Sequence, residues 1–243
     1  MPHRSARSSR PPTRPAATAA AARGCRPMEG LEARVLLSVT TDADGWTVIG
    51  KSSDTRVVYV SATRGSDNNS GLSSSSPVRS IAKGKSLIRS GRPDWLLLER
   101  GSVWKERIGT WSKSGRSATE PIVIGAYGTG ARPLIKTGNE TAFNTNGSKL
   151  ADNIAIIGLS FHAHTVDPYS ADYNGTTPSG SGVRIVGPSD NILIEDCAFD
   201  AYKEMSVYCS VRPAPDMAKC HDLAAVVAGS VTAVGGALLA DEK

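Results

Sequence analysis

Short apolar runs broken by Gly, Asn, Asp and Pro dominate the chain from Val57 onward, and this spacing predicts strands. Val57-Val58-Tyr59-Val60, Ile122-Val123-Ile124, Leu134-Ile135, Ile154 to Ile157, Val183 to Val186 and Ile192 to Ile194 each read as one strand. They are too short and too numerous for anything but a sheet-based fold. Trp95-Leu96-Leu97-Leu98 is apolar throughout, as a strand buried on both faces would be. One helix interrupts the series. Ser76 stands as its N-cap and Pro77 at its first position, where a missing N–H is tolerated. The pattern extends it from Pro77 to Ser90, with Ile81, Leu87 and Ile88 on the apolar side, Lys83, Lys85 and Arg89 on the wet side, and Gly91 as its stop. No second or third helix follows, so a doubly wound α/β fold is excluded.

Two of the strands belong to a longer repeat. Asp152-Asn153-Ile154-Ala155-Ile156-Ile157-Gly158-Leu159-Ser160-Phe161 aligns with Asp190-Asn191-Ile192-Leu193-Ile194-Glu195-Asp196-Cys197-Ala198-Phe199, with Asp, Asn, Ile, Ile and Phe recurring at equal offsets. In a solenoid of parallel strands each coil lies about 4.8 Å above the last, so equivalent positions stack into columns. The alternate isoleucines then form an inward aliphatic column, Asn153 and Asn191 a polar ladder, and Phe161 and Phe199 a stack on the next face. A β-sandwich has no reason to repeat a turn Asp-Asn together with core identities. The helix before the first coils gains a purpose here, as the polar-faced cap that an open solenoid end needs.

Charge narrows the partners. The net charge of +5 resides in residues 1–34, where seven arginines face Glu29 and Glu32, which leaves 21 basic and 21 acidic side chains on the rest. A basic leader on a balanced domain points to addressing or export. It excludes a nucleic-acid partner, which requires cations clustered on a folded surface. Residues 1–27 hold Arg, Pro, Ala and Ser with no acidic group and read as disordered. Cys25, Cys197, Cys209 and Cys220 fall at no metal-ligand spacing. Cys197 reads as a small buried hydrophobe, whereas Cys209 and Cys220 can pair in an oxidising compartment, which the sequence leaves open.

The strand pattern stops after Tyr202. Leu223 to Ala240 is uncharged and rich in Ala, Gly and Val, long enough to reach the lower limit for a membrane span but poor in large apolar residues. A shifted or prematurely ended reading frame explains it equally well. The expected organisation is a basic leader over 1–38, a linker over 39–56, the cap and first coils over 57–203, and a tail outside the solenoid over 204–243, with a weak apolar helix.

Several phrases carry a family resemblance: Tyr59-Val60-Ser61 with Gly65-Ser66-Asp67, Ser76-Pro77 with Ser80-Ile81-Ala82-Lys83, Leu98-Glu99-Arg100-Gly101 with Trp104, and Pro121 to Gly130 with Pro133 and Ile135. The stretch from Tyr59 to Tyr202 resembles the N-terminal portion of right-handed β-helix proteins of the pectate-lyase-like superfamily. The resemblance implies an all-β fold, a right-handed single-stranded parallel β-helix with a short N-terminal capping helix, and the halt of the strand pattern after two clear repeats adds the expectation that it is truncated at its C-terminus. It also implies association with polysaccharide. The superfamily includes lyases, glycoside hydrolases, epimerases and non-catalytic surface proteins, and the fold does not choose among them. Leu31-Glu32-Ala33-Arg34-Val35-Leu36-Leu37-Ser38 resembles the LEPR-XLL motif of large bacterial surface or secreted proteins, departing from it at Ala33, where the motif has proline. That likeness implies an extracellular or cell-surface location.

Candidate chemistry follows from what such enzymes need. A polyuronate lyase needs carboxylates that hold Ca2+ and a Lys or Arg base. The resemblance thus points to Ca2+, with Asp196 and Asp200 as candidate ligands and Asp196, Asp200 and Lys203 as candidate catalytic groups. Arg184 is another nearby base, Glu195 another acid, and Asp167 and Asp172 lie in the long insertion after His164. A glycosidase needs two carboxyls across the scissile bond, and spacing alone singles out no pair. His162 and His164 share a face if extended, a start for a metal site that lacks an evident third ligand. Residues 165–181 exceed what a coil turn requires, and long insertions on rigid scaffolds are where ligands are met. Tyr169, Tyr173 and Asp172 are therefore the candidate substrate-binding residues, with Tyr rings suited to stacking on sugars. The leading expectation is a monomeric secreted or surface β-helix protein of lyase or hydrolase type, catalytically incomplete as given. The alternative is a non-catalytic surface or adhesion module.

Overall fold

A computed structural model describes residues 40–41, 47–145, 151–187, 189–202 and 207–210, the first and last of these as backbone. The fold is mostly β and β-helix-like. Two-residue strands β1 (Thr40–Thr41) and β2 (Thr47–Val48) pair antiparallel. Strand β3 (Val57–Val60) and helix α1 (Ile81–Leu87) follow. Then come four triplets: β4 (Trp95–Glu99), β5 (Val103–Trp104) and β6 (Gly109–Trp111); β7 (Ile122–Tyr127), β8 (Leu134–Lys136) and β9 (Phe143–Thr145); β10 (Ile154–Ile157), β11 (Ser160–His162) and β12 (Val183–Val186); β13 (Ile192–Glu195), β14 (Ala198–Asp200) and β15 (Val207–Ser210). Each member of a triplet enters a different parallel sheet. The first sheet is ordered β13-β10-β7-β4-β3, the second β14-β11-β8-β5 and the third β15-β12-β9-β6.

Register carries the repeat into space. Ile154 pairs with Ile192 on one side and Ile122 on the other, and Ile156 with Ile194 and Ile124. All six are buried in one core that also holds Leu96, Ile135, Phe161 and Phe199. Phe161 and Phe199 stack with centroids 5.2 Å apart and planes 11° from parallel. The polar ladder forms as well, because Asn191 Nδ2 donates to Asn153 Oδ1 at 2.9 Å. Both asparagines are left-handed, at φ 55° and 54°, a conformation Asn tolerates better than most side chains and which turns the chain into the strand.

The helix is shorter than the sequence pattern predicts. It begins after Ser80, whose hydroxyl accepts from the Lys83 amide, not after Ser76. The cause is a competing partner for residues 77–79: the Val78 amide donates to Tyr59 O and the Ser61 amide to Val78 O, which ties that segment to the edge of β3. Lys85 is in the last turn and Ile88 caps it, so Ser90 and Gly91 lie beyond the helix. Strand pairing also continues past Tyr202, with β15 joined to β12. The sequence stretch there shows no alternation, and the ladder is set by its neighbour in space.

Gly84 lets α1 approach the sheet closely. A Cβ there would lie 2.6 Å from Val60 Cγ2 and 2.8 Å from Leu96 Cδ1, both on fully buried side chains. Alanine gains about 1 kcal/mol in helix propensity but overpacks the core by about 1–3 kcal/mol. Gly84→Ala is therefore expected to lower the urea midpoint by the equivalent of about 1 kcal/mol; a raised midpoint would show that the helix retreats freely.

A strap formed by residues 47–56 lies on the outer face of the first sheet. Ile49 packs with Val123, Ala155 and Leu193, and Lys51 Nζ stands 5.0 Å over the Trp95 ring. Ser52 is hydrogen-bonded to Glu120, and Asp54 pairs with Arg92 at 3.0 Å and with Arg116. Both carboxylate oxygens of buried Glu195 accept from the Thr47 amide, at 3.1 and 3.2 Å. This cover accounts for Trp95 on the outer face of β4.

Candidate functional site

The second sheet owes its chemistry to alternation. Trp104, Ile135, Phe161 and Phe199 point inward and are buried, so the residues after them face out. Register places Lys136, His162 and Asp200 in one outward column. Lys105 follows Trp104, the partner of Ile135, and reaches the same face. Residues 163–182, which connect β11 to β12, fold over this column. Asn139 holds them: its amide donates to Thr177 O at 2.9 Å and its side-chain oxygen accepts from the Ser179 amide at 2.7 Å.

The insertion brings two acids to the column. Asp172 accepts from Lys105 Nζ at 2.8 Å and from Lys136 Nζ at 3.1 Å, and these two ammonium groups hold its carboxyl down to about 2. His164 is buried and its Nδ1 accepts from the Gly138 amide at 3.0 Å, which leaves the proton on Nε2, 4.0 Å from Asp172 Oδ2. Burial pushes the His164 pKa down, in keeping with a ring nitrogen that accepts a hydrogen bond. Asp167 Oδ2 lies 2.8 Å from His162 Nε2, and Asp200 Oδ2 lies 3.7 Å from the same nitrogen. The Tyr169 amide, at 2.9 Å from Asp167 Oδ1, and then His162 hold the Asp167 carboxyl below its ordinary value. Beneath the column, Tyr202 shares a hydrogen bond of 2.8 Å with Thr137, and burial drives its phenol well above the usual range.

The same insertion presents aromatic surface. Tyr169 is 98% exposed and Tyr173 48% exposed, flanking the paired Asp172. Both lysines donate to Asp172, so neither offers a lone pair while those bonds stand. The arrangement is suited to stacking and hydrogen bonding, and proton abstraction by a lysine would first require breaking an ion pair.

The other candidate residues are dispersed. Asp196 is paired with Arg132 in the turn between first and second sheets, at φ 50°, the place Gly158 takes one triplet earlier. It therefore belongs to a different group from Asp200. Glu195 faces the strap on the first sheet. Arg184 lies beside Asn144 on the third sheet, lining a polar groove of about 340 Å³ with Arg107, Thr110, Glu140 and Ser179. Cys197 is a buried free thiol that burial pushes up to about 11. Lys203, Cys25, Cys220, the octet Leu31 to Ser38 and the stretch Leu223 to Ala240 lie outside the described residues, and Cys209 is described by its backbone. No helix among the described residues is long and apolar enough to cross a membrane. Lys105 and Lys136 escape a reading based on acids and aromatics. Extending the repeat one position beyond Phe161 and Phe199 would have paired His162 with Asp200.

No family model and no curated protein matches the sequence. Among solved structures, a GH136 lacto-N-biosidase from Eubacterium ramulus is similar in two forms. The selenomethionine derivative gives a TM-score of 0.42 at 21% identity, over 67% of this chain and 31% of that one. The native protein gives 0.39 at 21%, over 64% and 33%. A rhamnogalacturonan lyase gives 0.48 at 18% identity, over 62% and 38%. The chain thus spans about a third of the length of these structures.

Proposed function

We propose that this chain is the N-terminal part of a right-handed parallel β-helix protein, secreted or held at the cell surface, that binds polysaccharide on the outer face of its second sheet. The observation that carries the reading is the nearly fully exposed ring of Tyr169, on the same insertion whose Asp172 is held by Lys105 and Lys136. An exposed aromatic face beside fixed donors and acceptors suits a sugar ring, which offers apolar C–H faces and a rim of hydroxyls. The lysine ammonium groups favour a glycan that carries carboxylates. The octet resembling the LEPR-XLL motif supports the export reading. Binding is favoured over catalysis, because both lysines are engaged by Asp172.

The test is affinity electrophoresis of the chain in gels containing acidic or neutral polysaccharide. Retardation is expected in polygalacturonate, and Tyr169→Ala should weaken it by about 5–10-fold, the equivalent of about 1 kcal/mol of stacking. The ring is exposed, so folding is unaffected. Equal mobility of parent and variant, or no retardation in any acidic polysaccharide, overturns the reading. Release of unsaturated or reducing sugar would move the assignment to a lyase or hydrolase.

A further inference from the structure

Three separate elements converge on one imidazole. His162 comes from β11, Asp200 from its register partner on β14, and Asp167 from the insertion. One ligand atom of each lies within 4.8 Å of the others. We propose that His162 Nε2 and one carboxylate oxygen from each of Asp167 and Asp200 form a site for a divalent transition metal of the zinc class. The site is distinct from the Lys–Asp172 group and does not rest on polysaccharide binding.

Geometry is the first argument. Metal–ligand bonds of about 2.0–2.1 Å in tetrahedral array put ligand atoms about 3.3 Å apart. The observed separations from Nε2, 2.8 Å to Asp167 and 3.7 Å to Asp200, fall on either side of that value. Relative to His162, closing the site needs shifts of roughly half an ångström, and the two carboxylate oxygens, within 4.8 Å of each other, must draw together to about 3.3 Å. At 3.7 Å the Asp200 contact is no hydrogen bond, and a metal between the atoms would convert it into a shared bond.

Charge is the second. Two carboxylates face one imidazole, an excess of negative charge even if the ring is protonated. The neighbouring ammonium groups, Lys105 and Lys136, are directed to Asp172. A dication supplies what the side chains lack. The third argument is orientation. Asp167 Oδ1 is fixed by the Tyr169 amide, which leaves Oδ2 toward His162, and the His162 carbonyl is fixed by the Thr137 amide at 2.9 Å. Ligands oriented by outer partners bind metals more tightly. Asp200 is 67% exposed, so a coordination position remains open to water or to a substrate oxygen. The donor set selects the class: one nitrogen and two carboxylates suit Zn2+ better than Ca2+, which takes 6–8 oxygens. Bound there, the ion would staple the insertion to two successive strands.

The experiment uses the whole chain, stripped by chelator and titrated calorimetrically with Zn2+ alone and with Ca2+ alone. One equivalent of Zn2+ is expected to bind through this site, with the melting temperature rising by roughly 5 °C at a hundredfold excess over Kd. His162→Ala and Asp200→Asn should each remove that equivalent or weaken it at least tenfold. Asp200 is largely exposed, so its variant keeps the fold, which circular dichroism checks. Identical Zn2+ isotherms in parent and both variants, absence of Zn2+ binding, or tighter binding of Ca2+ than Zn2+ would each overturn the assignment.

Discussion

Phe161→Ala is expected to destabilise the protein by about 3–5 kcal/mol, measured by urea unfolding. The ring is 1% exposed, lies in register between Ile135 and Phe199, and stacks on the latter. Removing it opens a void in a column whose backbone is pinned by ladders on both sides, so the neighbours close in only partly. The effect reaches the surface, because His162 is the next residue and takes its direction from Phe161 being inward. Polysaccharide binding should fall with stability. A loss below about 1 kcal/mol would mean that the column collapses freely and that register is not what orients the site.

Asp94→Ala should cost a comparable amount, about 3–5 kcal/mol. Asp94 is completely buried and takes four donors: the amides of Arg56 at 3.1 Å and Arg89 at 2.9 Å, and the Arg89 guanidinium at 2.9 and 2.5 Å. Truncation strands two amides and a partly covered guanidinium at the junction of β3, α1 and β4. Burial by itself would raise the carboxyl pKa, but the hydrogen bonds from Arg89 and Arg56 outweigh it and hold the value below 3.8. A carboxyl whose folded pKa is depressed contributes stability above its unfolded value and loses it as pH falls through the folded one. Thermal melts should therefore show stability of the parent falling below about pH 4, with a shallower fall in Asp94→Asn. Parallel acid profiles for the two proteins would refute this role.

The part of the fold visible in the sequence is the part with a repeat. Asn153 and Asn191, Ile154 and Ile192, and Phe161 and Phe199 lie one above another as their offsets predict. Strands of two or three residues such as Gly109–Trp111, Phe143–Thr145 and Ala198–Asp200 are below the length at which alternation is detectable, and their partners define them. The helix starts later than Ser76-Pro77, a good local signal, because a tertiary bridge at Val78 overrides it. At the site, Tyr169, Tyr173 and Asp172 could be chosen from the excess length of the insertion. The company each acid keeps could not, since Asp196 meets Arg132 while Asp200 meets His162, only four residues apart in sequence.

The strap has a kinetic meaning. Stacks of repeats ordinarily zip from neighbour to neighbour, each triplet forming on the last. The Thr47–Glu195 contact joins residues 148 apart and has no seat until β13 exists. It can close only once β13 is in place, and non-local closures of this kind are slow to form. A contact that forms after the folding barrier acts on the way out, so a late-closing strap is expected to slow unfolding in a denaturant jump more than it speeds refolding.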